Sequence, residues 1–224
     1  MPARIALDLS VYLVTDHALC ATRGTLETVR QAIAAGATVV QLRDPLAKTR
    51  VLVEEARALA ALLGPAGIPF IVNDRVDVAV AAKADGVHLG QSDMSVRDAR
   101  ALVGPEPIIG LSITSLADLA ASDLAGVDYL GVGPVFATAT KADAAPAMGL
   151  AGLAAVRAAC RLPIVAIGGI AAANTAEVIA AGADGVAVVS AICAAADAGQ
   201  ATRELAEIVA AAKRRTDPLQ VRSR

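Results

Sequence analysis

The stretch AGADGVAVV, residues 181–189, joins the end of an Ala-rich segment directly to a continuously apolar run. Related junctions occur at Ala35–Val40 (AGATVV), Lys83–Val87 (KADGV) and Leu124–Tyr129 (LAGVDY). Glycine suits the exit of a helix, because it enters the left-handed conformation without the steric penalty of a Cβ atom. The repeated junction predicts a series of helices, each followed at once by a strand.

Short apolar runs alternate along the chain with Ala-rich segments that carry apolar residues at helical spacing. Such alternation indicates βαβ units and a parallel sheet, whose buried strands are continuously apolar. We therefore predict an α/β fold, a (β/α)8 TIM barrel in a single domain over residues 1–212. A doubly wound open sheet is the alternative, although no GxGxxG motif follows the first strand. The predicted strands are Val11–Thr15, Thr38–Leu42, Pro69–Val72, Gly86–Leu89, Ile108–Leu111, Tyr129–Val132, Ile164–Ile167 and Gly185–Val189, and the predicted helical segments include Leu26–Ala35, Val51–Leu63, Val96–Leu102, Leu153–Cys160 and Thr175–Ala181.

The composition excludes several classes of protein. The 224 residues are 56% hydrophobic and 2% aromatic, and the formal net charge is −2. The apolar content excludes a disordered chain, and the scarcity of aromatic residues and of basic charge argues against nucleic-acid binding. The apolar runs are far shorter than the ~20 residues that span a bilayer, and the start lacks a signal-peptide core. We expect neither a nucleic acid nor a membrane as partner.

The cysteines and the chain end carry weaker information. Cys20, Cys160 and Cys193 lack the spacing of a metal site, so we expect buried thiols, which suit a cytoplasmic protein. The segment 213–224 is basic and polar, and we expect a frayed tail beyond the last helix. The sequence does not determine the oligomeric state, and a homo-oligomer is one of the open alternatives.

A barrel of this kind has its active site at the carboxyl ends of the strands, so polar residues just after each apolar run are the candidates. Gly168-Gly169 follows the seventh run, and Ser190-Ala191-Ile192 follows the eighth. Barrels commonly bind a phosphate there through backbone N–H groups and the start of a short helix. The alternative is a tight turn that needs glycine for its backbone conformation.

Two further groups point to anionic substrates. Asp74 and Asp93 follow adjacent strands and could bind one hard cation, Mg²⁺ being the expected metal, or they could be solvated loop carboxylates. Thr138-Ala139-Thr140-Lys141 offers two hydroxyls and an ammonium at a spacing that suits an anion clamp, and a polar surface loop is the equal alternative. Arg43 and Lys48 add positive charge near the second strand.

The two histidines lie in different settings. His88 lies within the fourth apolar run between Val87 and Leu89, so it is expected inside the barrel with its hydrogen bonds satisfied rather than as a catalytic base. His17 follows the first strand, where a surface position is expected. No Ser/His/Asp or Cys/His constellation is evident in the sequence.

In order and spacing, these motifs resemble the thiamine-phosphate synthase family over roughly residues 10–210. The most specific strings are Asn73-Asp74-Arg75 followed by Ala84–Asp93 (ADGVHLGQSD), and Gly131–Lys141 (GVGPVFATATK). Gln41-Leu42-Arg43, Ile167-Gly168-Gly169-Ile170 and Val189-Ser190-Ala191-Ile192 complete the set.

The resemblance implies a barrel enzyme that joins hydroxymethylpyrimidine diphosphate to hydroxyethylthiazole phosphate, which gives thiamine phosphate and pyrophosphate. It implies dissociative loss of pyrophosphate, so no protein nucleophile is needed. By the resemblance, Asp74 and Asp93 bind Mg²⁺, and Arg43, Ser112 and Lys141 take part in catalysis. The implied contacts of the pyrimidine diphosphate are Gln41, Arg43, Asn73, Ser112 and Lys141, and those of the thiazole phosphate are Thr138, Ala139, Thr140, Gly169, Val189 and Ser190.

Two positions depart from the family pattern. Pro45 stands where the family usually carries a lysine that contacts diphosphate, and Lys48 could replace it if the loop turns back. Thr114 stands where many members carry histidine. Phe136 is the aromatic residue placed where contact with a substrate is conceivable.

Three other functions remain open. A thiazole tautomerase shares the fold but needs a proton-transfer residue instead of a diphosphate and metal site. A non-catalytic relative would bind thiamine phosphate without making it, and Pro45 is the feature that favours it. A sugar-phosphate isomerase barrel would need an acid/base pair that the sequence does not reveal.

Overall fold

Eight parallel strands close into a barrel in the order of the chain. The structure is a computed structural model that describes residues 7–138, 140 and 145–216. The first and last strands close the ring through the pairs Val11–Val186 and Leu13–Val188. The predicted (β/α)8 barrel is confirmed, and every predicted strand overlaps an observed one. The strands are β1 (Val11–Val14), β2 (Val39–Leu42), β3 (Phe70–Asn73), β4 (Gly86–Leu89), β5 (Ile108–Ile113), β6 (Tyr129–Val132), β7 (Ile164–Ile167) and β8 (Gly185–Val188).

Helices separate the strands along the described chain. The five predicted helical segments overlap α2, α3, α5, α7 and α8, whereas the short helices α4 and α6 were not predicted, because one or two turns show little apolar period. The helices are α1 (His17–Cys20), α2 (Thr25–Ala34), α3 (Thr49–Leu63), α4 (Val76–Ala82), α5 (Val96–Val103), α6 (Leu116–Ala121), α7 (Gly149–Ala159), α8 (Ala172–Ala180), α9 (Ser190–Cys193) and α10 (Ala198–Thr216).

The pleat of the strands divides the apolar residues into two cores. Successive side chains of a strand point to opposite faces, so Val11 and Leu13 pack outward against the helices while Tyr12 points into the barrel. The outer core is large and built mainly of Val, Leu, Ile and Ala. The inner core is small, and its buried members are Leu9, Tyr12, Val14, Val39, Ile71, Tyr129, Val165 and Ala187.

The repeated helix-to-strand junctions share a second function at the amino end of the barrel. In each, a polar side chain just before an even-numbered strand accepts a hydrogen bond from the backbone of the preceding odd-numbered strand. This satisfies an N–H group that would otherwise be buried without a partner. The pairs are Thr38 with Val11 at 3.1 Å, and Asp85 with Phe70, Asp128 with Ile109 and Asp184 with Ile164, each at 2.8 Å.

The last helix runs past Ala212, the predicted end of the barrel, as far as Thr216. Its Lys213 ammonium donates to Ser10 Oγ at 2.7 Å, so the first residues of the predicted tail belong to the folded body. The rest of that tail lies outside the described residues. Within the described part of the chain, no helix combines the length and apolarity needed to cross a membrane.

Candidate active site

A cavity of about 1210 Å³ opens at the carboxyl ends of the strands. Pockets for a single small ligand typically measure ~300–1,000 Å³, so this cavity has room for two. It brings together the predicted site residues that the structure describes, whereas Ala139 and Lys141 lie outside the described residues. Those residues are Gln41, Arg43, Lys48, Asn73, Asp74, Asp93, Ser112, Thr138, Thr140, Gly169, Val189 and Ser190.

The two predicted metal ligands lie side by side. Asp74 directly follows β3 and has a φ of 57°, a left-handed conformation that Asp tolerates better than most residues. Its N–H donates to the His88 carbonyl oxygen on β4 at 2.8 Å, which ties the two strand ends together. Asp93 lies in the loop after β4, where its Oδ2 accepts the Gly90 N–H at 2.7 Å. The Asp93 carboxyl group lies near enough to Asp74 to raise its pKa.

The electrostatics of this pair follow from its crowding. Partial removal from water raises the pKa of Asp74 to about 7, and the neighbouring Asp93 carboxyl adds to the rise. Hydrogen bonding by Asn73 and the positive charge of Arg43 act in the opposite direction. Two carboxyl groups at this separation resist ionising together, and a bound cation would relieve their repulsion.

The loop after β2 carries the positive side of the cavity. The Arg43 N–H donates to Thr15 Oγ1 at 3.1 Å, which fixes the start of the loop. The Asp44 carboxylate then accepts the N–H groups of Leu46 at 3.0 Å and Ala47 at 3.1 Å. The chain therefore turns back over Pro45, and Lys48 lines the cavity just before α3. This is the loop path that replacement of the family lysine by Lys48 requires.

Gly168 and Gly169 form a turn pressed against the loop after β6. Their φ values are 99° and 63°, so both occupy the left-handed region. A Cβ atom on Gly169 would lie 2.6 Å from the Ala137 carbonyl oxygen and 2.8 Å from Phe136 Cβ. The tight turn considered as an alternative is therefore present. Phosphate binding by the same turn stays a prediction.

Phe136 does not occupy the position considered for it. It is half-buried and packs against the outer core instead of lining the cavity. Thr114 lines the cavity, but its N–H donates to the Asp118 carboxylate at 3.0 Å, so it helps to begin α6. The aromatic residue that does line the cavity is Tyr12 on β1.

The floor of the cavity is a connected set of polar side chains inside the barrel. Gln41 Nε2 donates to the Tyr12 hydroxyl at 2.8 Å, and the Tyr12 and Tyr129 hydroxyls lie 2.7 Å apart. His88 then contacts the Tyr129 hydroxyl through Nδ1 and Ser112 Oγ through Nε2, each at 2.9 Å. His88 is thus an interior residue with its hydrogen bonds satisfied, as predicted. The two tyrosines were missed, although each interrupts an apolar run at the pleat position of an inward side chain.

Burial sets the protonation state of this floor. Removal from water lowers the pKa of His88 to about 4, so its ring is neutral at physiological pH. Burial likewise raises the pKa of Tyr12 and of Tyr129 well above the ordinary value, so both phenols keep their protons. The floor offers fixed hydrogen bonds and no charge.

A third polar group lies at the rim of the cavity and was not predicted. His17, Asp44 and Glu55 come from three separate elements, and their potential ligand atoms all lie within 4.8 Å of one another. Sequence reasoning treated His17 as a surface residue, which its exposure supports. These residues lie far apart in the sequence, so no local motif indicates that they come together.

A closed (β/α)8 barrel with a polar cavity at the carboxyl ends of its strands is typical of an enzyme. The family model described as "Thiamine monophosphate synthase" matches residues 11–192. A thiamine-phosphate synthase of Xanthobacter autotrophicus is 66% identical over 206 residues, which cover 92% of this chain and 98% of that relative. One from Azorhizobium caulinodans is 57% identical, with 92% and 98% of the two chains covered.

A solved structure agrees with these relatives. The thiamine phosphate pyrophosphorylase from Pyrococcus furiosus is 40% identical, with a TM-score of 0.83 and coverage of 92% of this chain and 98% of that one. The chain therefore belongs to the thiamine monophosphate synthase family, and its activity is that of a thiamine-phosphate synthase, a transferase.

Proposed function

We propose that this chain joins hydroxymethylpyrimidine diphosphate to hydroxyethylthiazole phosphate with Mg²⁺, forming thiamine phosphate and releasing pyrophosphate. One observation carries the proposal. A single cavity of about 1210 Å³ holds an acidic pair, two cationic side chains and a glycine turn. The acidic pair and the cationic side chains suit a metal-bound diphosphate, and the glycine turn suits a separate phosphate. A pocket for a single phosphate ligand would not need two such binding regions.

The acidic pair suits a hard divalent cation. Asp74 and Asp93 supply carboxylate oxygens, the ligands that Mg²⁺ prefers. Burial first, and then the neighbouring Asp93 carboxyl, raise the pKa of Asp74, and a bound cation would favour its charged form. When bound, the metal would neutralise part of the charge of the diphosphate leaving group. Asn73 lies beside the pair and lowers the pKa of Asp74, so it favours the charged form of that carboxyl group.

The cationic side chains hold the diphosphate from the other side. Arg43 and Lys48 both line the cavity, and the turn stabilised by Asp44 brings them to the same wall. A charge held in place before the reaction stabilises a departing anion without reorganisation. Lys141, outside the described residues, is proposed as a further diphosphate contact from the loop after β6.

The pyrimidine end of the substrate would lie over the cavity floor, against Gln41 and Ser112. The floor contains no activated nucleophile: Ser112 Oγ contacts His88, but the far nitrogen of His88 contacts the Tyr129 hydroxyl and not a carboxylate. A serine in this setting is not driven to attack. This supports a dissociative reaction in which the protein positions both substrates and excludes water.

The thiazole phosphate would bind at the opposite side of the mouth. Gly169, Val189 and Ser190 line the cavity beside Thr138 and Thr140. Thr138 Oγ1 accepts the Thr140 N–H at 3.3 Å. Backbone N–H groups and hydroxyls at this junction are suitable donors for a phosphate monoester. Ala139, outside the described residues, belongs to the same proposed contact.

The partners and compartment follow from the same reaction. Both substrates are small anionic molecules, and neither a nucleic acid nor a membrane is involved. All three cysteines are free and buried, which favours the reducing cytoplasm.

The decisive experiment incubates the protein with both substrates and Mg²⁺ and measures pyrophosphate and thiamine phosphate together. We expect equal amounts of the two products and a rate that depends on Mg²⁺. Asp93→Ala should abolish the metal-dependent rate, whereas Asp123→Ala, an exposed carboxylate away from the cavity, should not. Unchanged metal dependence in Asp93→Ala removes Asp93 from the site. Thiazole isomerisation without pyrophosphate indicates a tautomerase, and tight product binding without turnover indicates a binding protein.

A further inference from the structure

The five side chains of the cavity floor form one continuous line of hydrogen bonds. The line runs Gln41, Tyr12, Tyr129, His88, Ser112, with successive contacts of 2.8, 2.7, 2.9 and 2.9 Å. The residues come from five different strands, so the line crosses the barrel interior. Gln41 and Ser112 stand at its two ends, and both line the cavity where the pyrimidine diphosphate is proposed to bind.

We propose that Tyr12, Tyr129 and His88 are positioning residues whose hydrogen bonds fix Ser112 as a donor and Gln41 as an acceptor toward the substrate. The identity of the substrate in this inference rests on the proposed function. The order of the hydrogen bonds is a property of the free protein and is independent of that function.

Counting donors and acceptors sets the direction of the line. Gln41 Nε2 is a donor, so the Tyr12 oxygen accepts it and the single Tyr12 proton passes to Tyr129. The Tyr129 proton must then point to His88 Nδ1. A neutral imidazole that accepts at Nδ1 carries its proton on Nε2, and therefore donates to Ser112 Oγ. The Ser112 proton is left to point into the cavity.

Burial requires that His88 be neutral in this scheme. Its side chain is buried, and both ring nitrogens contact hydroxyl groups and no carboxylate. An imidazolium in that place would be a buried charge with no carboxylate in hydrogen-bond contact. The neutral ring can take only two tautomers, and the neighbouring hydroxyl selects one.

The other end of the line has the complementary property. With Nε2 of Gln41 committed to Tyr12, its side-chain oxygen accepts no hydrogen bond from the described residues. Because none of their fully buried polar side-chain atoms lacks a partner, this oxygen is open to the cavity. That oxygen is therefore an acceptor for an N–H group of the pyrimidine substrate. The opposite order of the line would turn Gln41 into a donor and leave Ser112 without a proton for the acceptor-rich diphosphate.

The barrel is shaped around this line. Gly110 on β5 and Gly131 on β6 face the two rings, and a Cβ atom on Gly131 would lie 2.8 Å from His88 Cε1 and 3.1 Å from Nε2. A Cβ atom on Gly110 would overlap both the Tyr129 ring and His88 Nδ1. The ring centroids of His88 and Tyr129 are 5.4 Å apart, in tilted contact. Two strand glycines thus create the space in which the rings are held in one orientation.

The first test reads the His88 tautomer in the free protein. The chain has two histidines, so His17→Gln assigns the remaining signal to His88 in ¹⁵N-histidine-labelled protein. Long-range proton–nitrogen correlation separates a protonated Nε2 from a protonated Nδ1. We expect a neutral ring protonated on Nε2. A ring protonated on Nδ1 overturns the proposed direction, whatever reaction the protein catalyses.

Two matched variants test the relay itself. Tyr129→Phe and Tyr12→Phe each remove one buried hydroxyl, but only Tyr129→Phe removes the partner of His88 Nδ1. We expect mixed tautomers in both variants, because Tyr12→Phe removes the donor that directs the Tyr129 proton to His88, and Tyr129→Phe removes that proton itself. A ring that stays wholly protonated on Nε2 in either variant contradicts the relay. If Tyr129→Phe does not fold, the tautomers of the parent protein and of Tyr12→Phe still decide it.

Kinetics then connect the relay to the substrate. Tyr129→Phe should lower kcat/KM for the pyrimidine diphosphate by roughly 2- to 12-fold, the range for loss of one neutral hydrogen bond. In a Ser112→Ala background the same change should have a smaller effect, because one end of the line is already lost. An equal effect in both backgrounds shows that Tyr129 does not act through Ser112. Correct tautomers without any synthase activity refute the proposed function and leave the hydrogen-bond order intact.

Discussion

Gly110 offers the sharpest test of how the barrel interior supports the site. The residue lies on β5 and faces Tyr129 and His88, yet it does not line the cavity itself. We expect Gly110→Ala to destabilise the fold and to reduce activity, although the added methyl group never meets a substrate. The reason is steric: the new Cβ atom would overlap two buried rings that the hydrogen-bond line holds in place.

The magnitude follows from comparing three glycines. Overpacking a core by a methyl group typically costs ~1–3 kcal/mol, and Gly110→Ala belongs at or above the upper end because both rings must move. Gly131→Ala should cost ~1–2 kcal/mol, since only His88 lies within 3.1 Å of the new atom. An added Cβ on Gly64 meets nothing within 4 Å outside the chain neighbours, so its replacement should cost less than either of the other two. No stabilisation is expected, because Gly64 has a helical backbone (φ −55°, ψ −50°) just before Pro65, which is unfavourable for a residue with a Cβ atom.

Urea unfolding of the three alanine variants beside the parent protein measures these differences. A loss of ~3 kcal/mol corresponds to a fall of roughly 6–12 °C in Tm for a chain of this length. Initial rates with both substrates are measured in parallel, and Gly64→Ala serves as the matched control. Equal free energies of unfolding for Gly110→Ala and Gly64→Ala would refute the reasoning, because the barrel interior would then have free space at the rings.

Other predictions concern charge. Lys48→Ala should raise KM for the pyrimidine diphosphate. Arg50 is an exposed cation of α3 that does not line the cavity, so Arg50→Ala should leave KM unchanged. Unchanged kcat and KM in Lys48→Ala would show that Lys48 is not part of the site. Lys141→Ala should lower kcat/KM by roughly 10- to 150-fold, the loss expected for a charged hydrogen bond, and an unaltered kcat/KM in steady-state assays contradicts the clamp. The pKa of His88 is lowered from 6.5 to about 4, so the folded state takes up its proton later than the unfolded state as pH falls. Between pH 6.5 and pH 4, the free energy of unfolding of the parent protein should therefore fall by up to about 3 kcal/mol more than that of His88→Gln, as measured by urea unfolding. If the free energy of unfolding changes with pH in the same way in both proteins, the pKa of His88 is not lowered.

The fold was predictable because its signals are local and repeated. Each strand is a short apolar run with a clear end, and the helix-to-strand junctions mark where four of the eight runs begin. What the sequence did not reveal is the purpose of the polar residue in those junctions. Asp85, Asp128 and Asp184 each accept a hydrogen bond from a strand residue that lies 15, 19 and 20 residues earlier in the chain, respectively. Such a partner depends on which strands become neighbours, and no local pattern contains that information.

The candidate site was predictable where residues follow strand ends directly. Asp74, Asp93 and Gly169 are of this kind, and the barrel brings them to one cavity. Tyr12 and Tyr129 were missed because inward-facing tyrosines on β1 and β6 look like core residues until the barrel closes. The rim group of His17, Asp44 and Glu55 was missed for a related reason, since its three members meet only after folding.

The two tyrosines of the hydrogen-bond line also serve as intrinsic spectroscopic probes of the cavity floor. The sequence has no Trp and two Tyr, and both phenols belong to the floor of the cavity. Near-ultraviolet absorption, circular dichroism and intrinsic fluorescence therefore report on this one place and on almost nothing else in the molecule. Binding of a pyrimidine above Gln41, or a rearrangement caused by a neighbouring methyl group, becomes a spectroscopic event that can be followed without a label.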